Sequence, residues 1–245
     1  MEISIQFLLA VFIFFIAALS RSTFGFGDAL IAMPLLALIM DIKIATPIVA
    51  FMGFFISLII LIRNWKKLDY GKIWKLILYS LFGIPFGVLF LKDTNDFVIK
   101  LVLAIILILF SIYKLSKPNL LSLKNDNYSF IFGFISGMLG GAYNTNGPPI
   151  IIYGTLRNWS PQEFRLLLQA IFLPTNLLII VFHGIAGLWT ATVFNYFFIS
   201  LPVIFIAILI GRKLNMIIPK DKFVKYVYAF LLIIGFVLLG DTIRF

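Results

Sequence analysis

The chain has no cysteine and a single histidine, His183, among its 245 residues. Disulfides, thiolate metal sites and thiol chemistry are thereby excluded, and no cluster of His with carboxylates could hold a metal. Charge is scarce too: charged residues make up 12% of the chain, with 10 Asp and Glu against 20 Lys and Arg. No nucleotide-binding motif is present, and no nucleophile–base constellation is visible, which sets enzymatic chemistry and cofactors aside.

What fills the space is apolar. Hydrophobic residues reach 62%, where soluble domains run near 45–50%, so the chain reads as an integral membrane protein. The apolar runs are continuous rather than alternating, which disfavours a β-barrel and leaves an all-α bundle of about eight to ten segments of full or half length. The net charge of +10 is not a nucleic-acid signal, because most Lys and Arg sit in short connections between apolar runs. There they orient helices in the bilayer. The first run has no Lys or Arg before it and no small-residue cleavage site after it, so an uncleaved first helix is expected.

The runs fall at 5–21, 29–41, 44–62, 73–91, 97–115, 129–142, 149–157, 163–183, 189–211 and 223–240. The most polar stretch, SKPNLLSLKNDN at 116–127, lies near the middle and divides the chain into expected repeats 1–115 and 128–245. FVIKLVLAIILILF from Phe97 matches FVKYVYAFLLIIGF from Phe223 in its apolar positions, and each follows a turn containing acid and lysine or amide. Agreement in order and spacing favours an internal duplication.

Three connections crowd positive charge: Arg63, Lys66, Lys67, Lys72 and Lys75; Lys114, Lys117 and Lys124; and Arg212, Lys213, Lys220, Lys222 and Lys225. These are expected on the cytoplasmic side. Parity then forces 129–142 and 149–157 to leave and return on one side, because the second is too short to span about 30 Å of hydrocarbon. The same reasoning makes 5–41 a hairpin entering from the outside. The expected fold is a helical bundle of two inverted repeats, each a re-entrant or broken hairpin plus three transmembrane helices, with both termini external. Ten true spans is the competing layout, with the same termini.

Each hairpin has a polar break, ALSRSTFGFGDALIAMPLL at 18–36 and GFISGMLGGAYNTNGPPIIIY at 133–153. Irregular backbone at membrane depth survives only where it is buried in protein or lines a polar cavity. Paired breaks at matching places in two halves mark a transporter's binding site. Helix starts attract anions through their free N–H groups, and Asn144, Thr145 and Asn146 read as capping donors ahead of Pro148-Pro149. The site is therefore expected where the tips meet, lined by Ser22, Thr23, Gly25, Gly27, Asn144, Thr145, Asn146 and Gly147. Arg21 contributes charge there. The bland alternative is that the glycines only allow close helix packing.

Arg21 and Asp28 flank the first tip, either as a structural ion pair or with Arg21 on the substrate and Asp28 as a coupling group. Gln169 and Asn176 lie seven apart and share a helix face, either lining the cavity or bonding helix to helix. His183 reads as interfacial, at a helix end, and Arg157 and Arg165 as orientation signals at a helix mouth.

SRSTFGFGDALIAMPLLAL and GFISGMLGGAYNTNGPPIIIYGTLRNW resemble the two signatures of the TauE/SafE sulfite-exporter family, over essentially the whole chain. The resemblance rests on Gly25, Gly27 and Pro34 in the first and on Gly137, Gly140, Gly141, Gly147 and Pro148 in the second. Asp28 and Ala29 stand where many members carry further glycines. The resemblance implies a prokaryotic inner-membrane carrier of sulfite, sulfoacetate or another organosulfonate, acting as an exporter; an anion channel or a carrier of another small organic anion is the alternative. The expected partners are a small anion, the bilayer, a coupling proton or cation and, as an open alternative, a second copy of the chain. Nucleic acid is not among them.

Overall fold

The computed structural model describes residues 5–62, 68–116, 122–123, 125–217 and 220–244. Arg63, Lys66, Lys67, Lys117 and Lys124, and the side chains of Lys220 and Lys222, lie outside the described residues. Ten α-helices and no strand are found among the described residues, each break falling within about one or two turns of the expected position. They are α1 (Ile5–Phe24), α2 (Asp28–Ala37), α3 (Ile42–Ile62), α4 (Trp74–Asp93), α5 (Asp96–Leu115), α6 (Ser129–Tyr143), α7 (Gly147–Leu156), α8 (Pro161–Ile185), α9 (Ala191–Ile217) and α10 (Lys220–Arg244).

Seven of these are long and apolar enough to cross a membrane. The exceptions are α2 and α7, with 10 residues each, and α6 with 15. Ten residues rise only about 15 Å, half the hydrocarbon thickness. At 20 residues α1 is not a half helix, so the first hairpin pairs a full-length arm with a short one.

Local chemistry sets several boundaries. Ser160 and Glu163 form a reciprocal capping box with Pro161 in the first turn of α8, satisfying donors that a helix start leaves open. Asn95 caps α5 by accepting from the Val98 N–H at 2.9 Å. A 3₁₀ turn at Tyr70–Lys72 is tied to the start of α8 by Lys72 Nζ, 2.7 Å from Glu163 Oε1. That hydrogen bond holds the Lys72 ammonium above its ordinary pKa.

The bundle is built from α1 against α9, α4 against α6, α5 against α10 and α3 against α8. α3 and α8 are the most deeply buried of the long helices. The closest approach is α4 on α6, where Gly83 and Gly87 of α4 and Gly133, Gly137 and Gly141 of α6 each lie against the backbone of the other helix. A Cβ on Gly83, Gly87, Gly137 or Gly141 would overlap the carbonyl oxygen of Phe134, Met138, Ser80 or Ile84 respectively. Small residues let helix backbones touch in lipid, where burial of apolar area supplies no drive for helices to associate. For these glycines of the second motif, packing is the role.

Candidate functional site

The first break is short. α1 runs on through Phe24, and the chain reverses at Gly25 (φ 90°) and Gly27 (φ 100°) before Asp28 opens α2. Those left-handed angles favour glycine, which lacks the Cβ that would clash. Ser22 and Thr23, expected at the tip, are instead helical: Ser22 Oγ donates to the Ile208 carbonyl at 2.9 Å and Thr23 Oγ1 to Leu19 at 2.7 Å. Their hydroxyls are spent on backbone, the usual choice of Ser and Thr inside helices. Thr23 faces a separate apolar groove of about 400 Å³ between α1, α2, α9 and α10.

At the second break Asn144 ends α6 in the left-handed conformation (φ 53°), and Asn146 precedes Gly147 and the two prolines of α7. The expected capping is absent: no side chain caps α7 or α2. The Asn146 amide donates to Thr175 Oγ1 at 3.1 Å, and Thr145 Oγ1 to the Tyr143 carbonyl at 3.0 Å. Proline has no N–H, so α7 offers an anion fewer backbone donors than α2 does.

The two tips meet. One cavity is lined by residues 26–30 and 144–147 together with Phe172 of α8, and its volume of about 10 Å³ is that of a single water molecule. A pyramidal anion does not fit there without movement.

Beside this cavity lie Arg21 and Asp28, the two charged side chains buried among the described residues, at 2% and 6% exposure. They form an ion pair through Arg21 Nη1 and Asp28 Oδ2. Arg21 Nη2 donates to Ser57 Oγ, and Arg21 Nε to Gln169 Oε1 at 3.1 Å. The Gln169 amide returns to the Gly25 carbonyl at 2.6 Å, and the Phe172 ring lies 4.9 Å from the guanidinium. One arginine thus ties α1, α2, α3, α8 and the first tip together. The buried arginine is tolerated because it is hydrogen-bonded to Ser57 and Gln169 as well as paired with Asp28.

Three nitrogens converge above Gly53 of α3. A Cβ there would stand 2.7 Å from Asn176 Nδ2, 3.1 Å from Arg21 Nη1 and 3.3 Å from Asn144 Nδ2. The amide oxygens of Asn144 and Asn176 are buried with no hydrogen-bond partner. An orphaned buried polar group costs about 1–3 kcal/mol; these two oxygens are acceptors that a donor such as water would satisfy, whereas the three nitrogens over Gly53 are the groups that could meet an anion.

A family model described as sulfite exporter TauE/SafE matches residues 10–238. The chain belongs to the TauE/SafE family. It is therefore a multi-pass membrane protein of a transporter family, not an enzyme. The probable sulfite/organosulfonate exporter TauE of Cupriavidus necator is 27% identical over 125 residues, 51% of this chain and 49% of that protein. The match thus spans about half the length of the curated relative. No solved structure matches.

In this TauE/SafE chain the structure gathers Arg21, Gly27, Asp28, Asn144, Thr145, Asn146, Gly147, Gln169 and Asn176 around the meeting tips, and leaves Ser22 and Thr23 outside. Gly25 turns toward Arg165, whose Cγ would lie 2.7 Å from a Cβ at that position. Arg165 donates to the Ser22 carbonyl at 2.5 Å, so it braces the first tip rather than merely marking a helix mouth. Arg157 is the ordinary case, paired with Asp126 at 3.0 Å. His183 lies in the last turn of α8 as expected, and it is buried, 0% exposed, with Nε2 3.0 Å from the Gly141 carbonyl. Gly53, Ser57 and Phe172 were not expected. A lone glycine and serine one turn apart in the apolar run of α3 were the signal available for the first two.

Proposed function

We propose that this protein is a secondary carrier that exports a small sulfur oxyanion or organosulfonate, by alternating access around the two hairpin tips. The observation that carries the reading is the shared cavity of the tips beside one buried arginine, with donor nitrogens of Arg21, Asn144 and Asn176 converging over Gly53. Sulfite and sulfonates present several oxygens in a pyramid, which several convergent donors match better than one lysine would. The name of the Cupriavidus relative agrees with that substrate class.

An inverted repeat of 1–115 and 128–245, joined by a cytoplasmic linker at 116–127, is supported by the pairing of helices. Exchanging α1–α5 with α6–α10 turns α1 on α9 into α6 on α4, α3 on α9 into α8 on α4, and α1 on α2 into α6 on α7. α3 on α8 and α5 on α10 map onto themselves. A two-fold relating the halves would do this, and the charge placement of the connections is what puts its axis in the membrane plane. Both termini then lie outside the prokaryotic inner membrane, and a reporter fused after Phe245 reads out as external; a cytoplasmic signal contradicts the topology.

Charge balance supports coupling. Arg21 and Asp28 are neutral as a pair, so a bound monoanion leaves one uncompensated buried charge, which is strongly unfavourable. A proton on Asp28 restores neutrality and releases Arg21 to the anion.

Calorimetric titration of the purified protein with sulfite and sulfoacetate tests the site. Asn144→Ala and Asn176→Ala each lose one donor to a charged ligand, about 1.5–3 kcal/mol, and so weaken binding roughly 10- to 150-fold. Asn146→Ala acts less on binding, because its amide is spent on Thr175. Wild-type binding by both the Asn144 and Asn176 variants would make the tips packing devices.

A further inference from the structure

The groove of about 400 Å³ behind the first hairpin is separate from the cavity at the tips. Its walls are α1 from Ile16 to Phe24, α2 at Leu35, α9 at Leu214 and α10 at Val227 and Phe230. α9 packs on α1, while α10 packs on α5 and α2, which leaves a gap between two helices consecutive in the chain. Phe230 is 42% exposed at the rim. Both α9 and α10 are long and apolar enough to cross a membrane, so the open side faces lipid rather than water.

Two polar side chains line the groove, Ser20 and Thr23, and neither has a proton to offer a guest. Ser20 Oγ donates to the Phe26 carbonyl at 3.5 Å and Thr23 Oγ1 to the Leu19 carbonyl at 2.7 Å. An anion would find no donor there, and an apolar cavity does not recruit water. A hydrocarbon chain fits. Between Ile16 and Phe24 the helix rises about 12 Å, most of the roughly 15 Å depth of one leaflet. The volume falls within the range of about 300–1,000 Å³ found for small-molecule sites.

One end of the groove is charged. Residues 212–225 hold Arg212, Lys213, Lys220, Lys222 and Lys225 against one acid, Asp221. Lys213 directly precedes Leu214 of the groove wall, and Lys225 stands two residues before Val227. Both lysines are exposed, and neither pairs with a carboxylate among the described residues. Basic residues at the end of an apolar pocket between transmembrane helices select anionic lipid headgroups. A second copy of the chain is the poorer occupant, since a two-fold contact would set these lysines against their own counterparts.

We propose that this groove holds one anionic phospholipid, with an acyl chain along α1 and α2 and the phosphate at Lys213 and Lys225. The lipid lies against both arms of the first hairpin. Ser20, on the Phe26 carbonyl, ties the turn of that hairpin to the groove wall, and Asn215 ties α9 to the Thr23 carbonyl. Occupancy therefore braces the first tip from behind. The site is independent of which anion the protein carries.

Purified protein in detergent is titrated with phosphatidylglycerol and with phosphatidylcholine of the same chains, and bound lipid is counted by native mass spectrometry alongside thermal unfolding. One phosphatidylglycerol is retained, and it raises the unfolding temperature more than phosphatidylcholine does, because a ligand of the folded state stabilises it. Lys213→Gln with Lys225→Gln weakens phosphatidylglycerol binding about 25-fold, at about fivefold per lysine, and leaves phosphatidylcholine binding unchanged. Leu35→Trp fills the groove and removes both lipids; Leu89→Trp, at a 54% exposed position of α4, removes neither. Equal affinity for the two lipids in the wild type, or a phosphatidylglycerol preference that survives the lysine or the Leu35 variant, overturns the proposal. A dimer that Leu35→Trp dissolves overturns it in favour of a second copy. The lysines are exposed, so their variant folds and decides the matter even where Leu35→Trp fails to insert.

Discussion

Arg21→Ala abolishes anion transport and costs the fold about 3–5 kcal/mol, because it leaves Asp28 as a buried carboxylate without its partner. The side chain ties Asp28, Ser57 and Gln169 from three other helices. Removing it undoes three charge-assisted bonds at once and deletes the one buried cation near the tips. Two readouts separate these losses. Thermal unfolding in detergent drops for Arg21→Ala and recovers in the double variant Arg21→Met with Asp28→Leu, since an apolar pair of similar volume can replace a buried ion pair at little cost. Sulfite or sulfonate binding is lost in both. Retention of binding in the double variant would assign the pair a purely structural role.

Gly137→Val destabilises by about 3 kcal/mol or more, at the upper end of what overpacking costs. The residue stands where α6 touches the backbone of α4, and any Cβ meets the Ser80 carbonyl. A carbonyl on a packed helix cannot rotate aside as a flexible side chain would, so the two helices must part. Gly133, Gly141, Gly83 and Gly87 would lose their contacts with it. Gly240→Val, where nothing lies within 4 Å of the new Cβ, leaves thermal unfolding unchanged and serves as the control. Equal unfolding of the two variants would show that α4 and α6 are not held by close backbone contact.

Much of this architecture was legible because the two determinants are local. Helix breaks at 25–27 and at 144–146 declare themselves through glycine and asparagine, the residues that enter left-handed backbone at low cost. The short reach of α7 follows from counting residues against the bilayer. What escaped was decided by tertiary contacts. Ser22 and Thr23 look like tip residues, yet they sit in the last turn of α1 with hydroxyls bonded to backbone. His183 is a helix-end residue, in the last turn of α8, but it is buried there with Nε2 against the Gly141 carbonyl of α6. Gly53 is the lone glycine of an apolar helix, a weak signal, and the convergence of α1, α8 and the second tip gives it meaning. The glycines of the second motif divide by the same logic: Gly137 and Gly141 pack α6 on α4, whereas a Cβ at Gly147 would meet only ordinary contacts at 3.7 Å.

The most direct measurement is labelled sulfite or sulfoacetate efflux from proteoliposomes, with and without unlabelled anion on the opposite side. A carrier whose site closes between the tips releases label faster when counter-substrate is present, and a pH gradient drives net flux if Asp28 carries the proton. Flux that ignores counter-substrate and pH gradient alike, or the absence of any anion flux, contradicts the account.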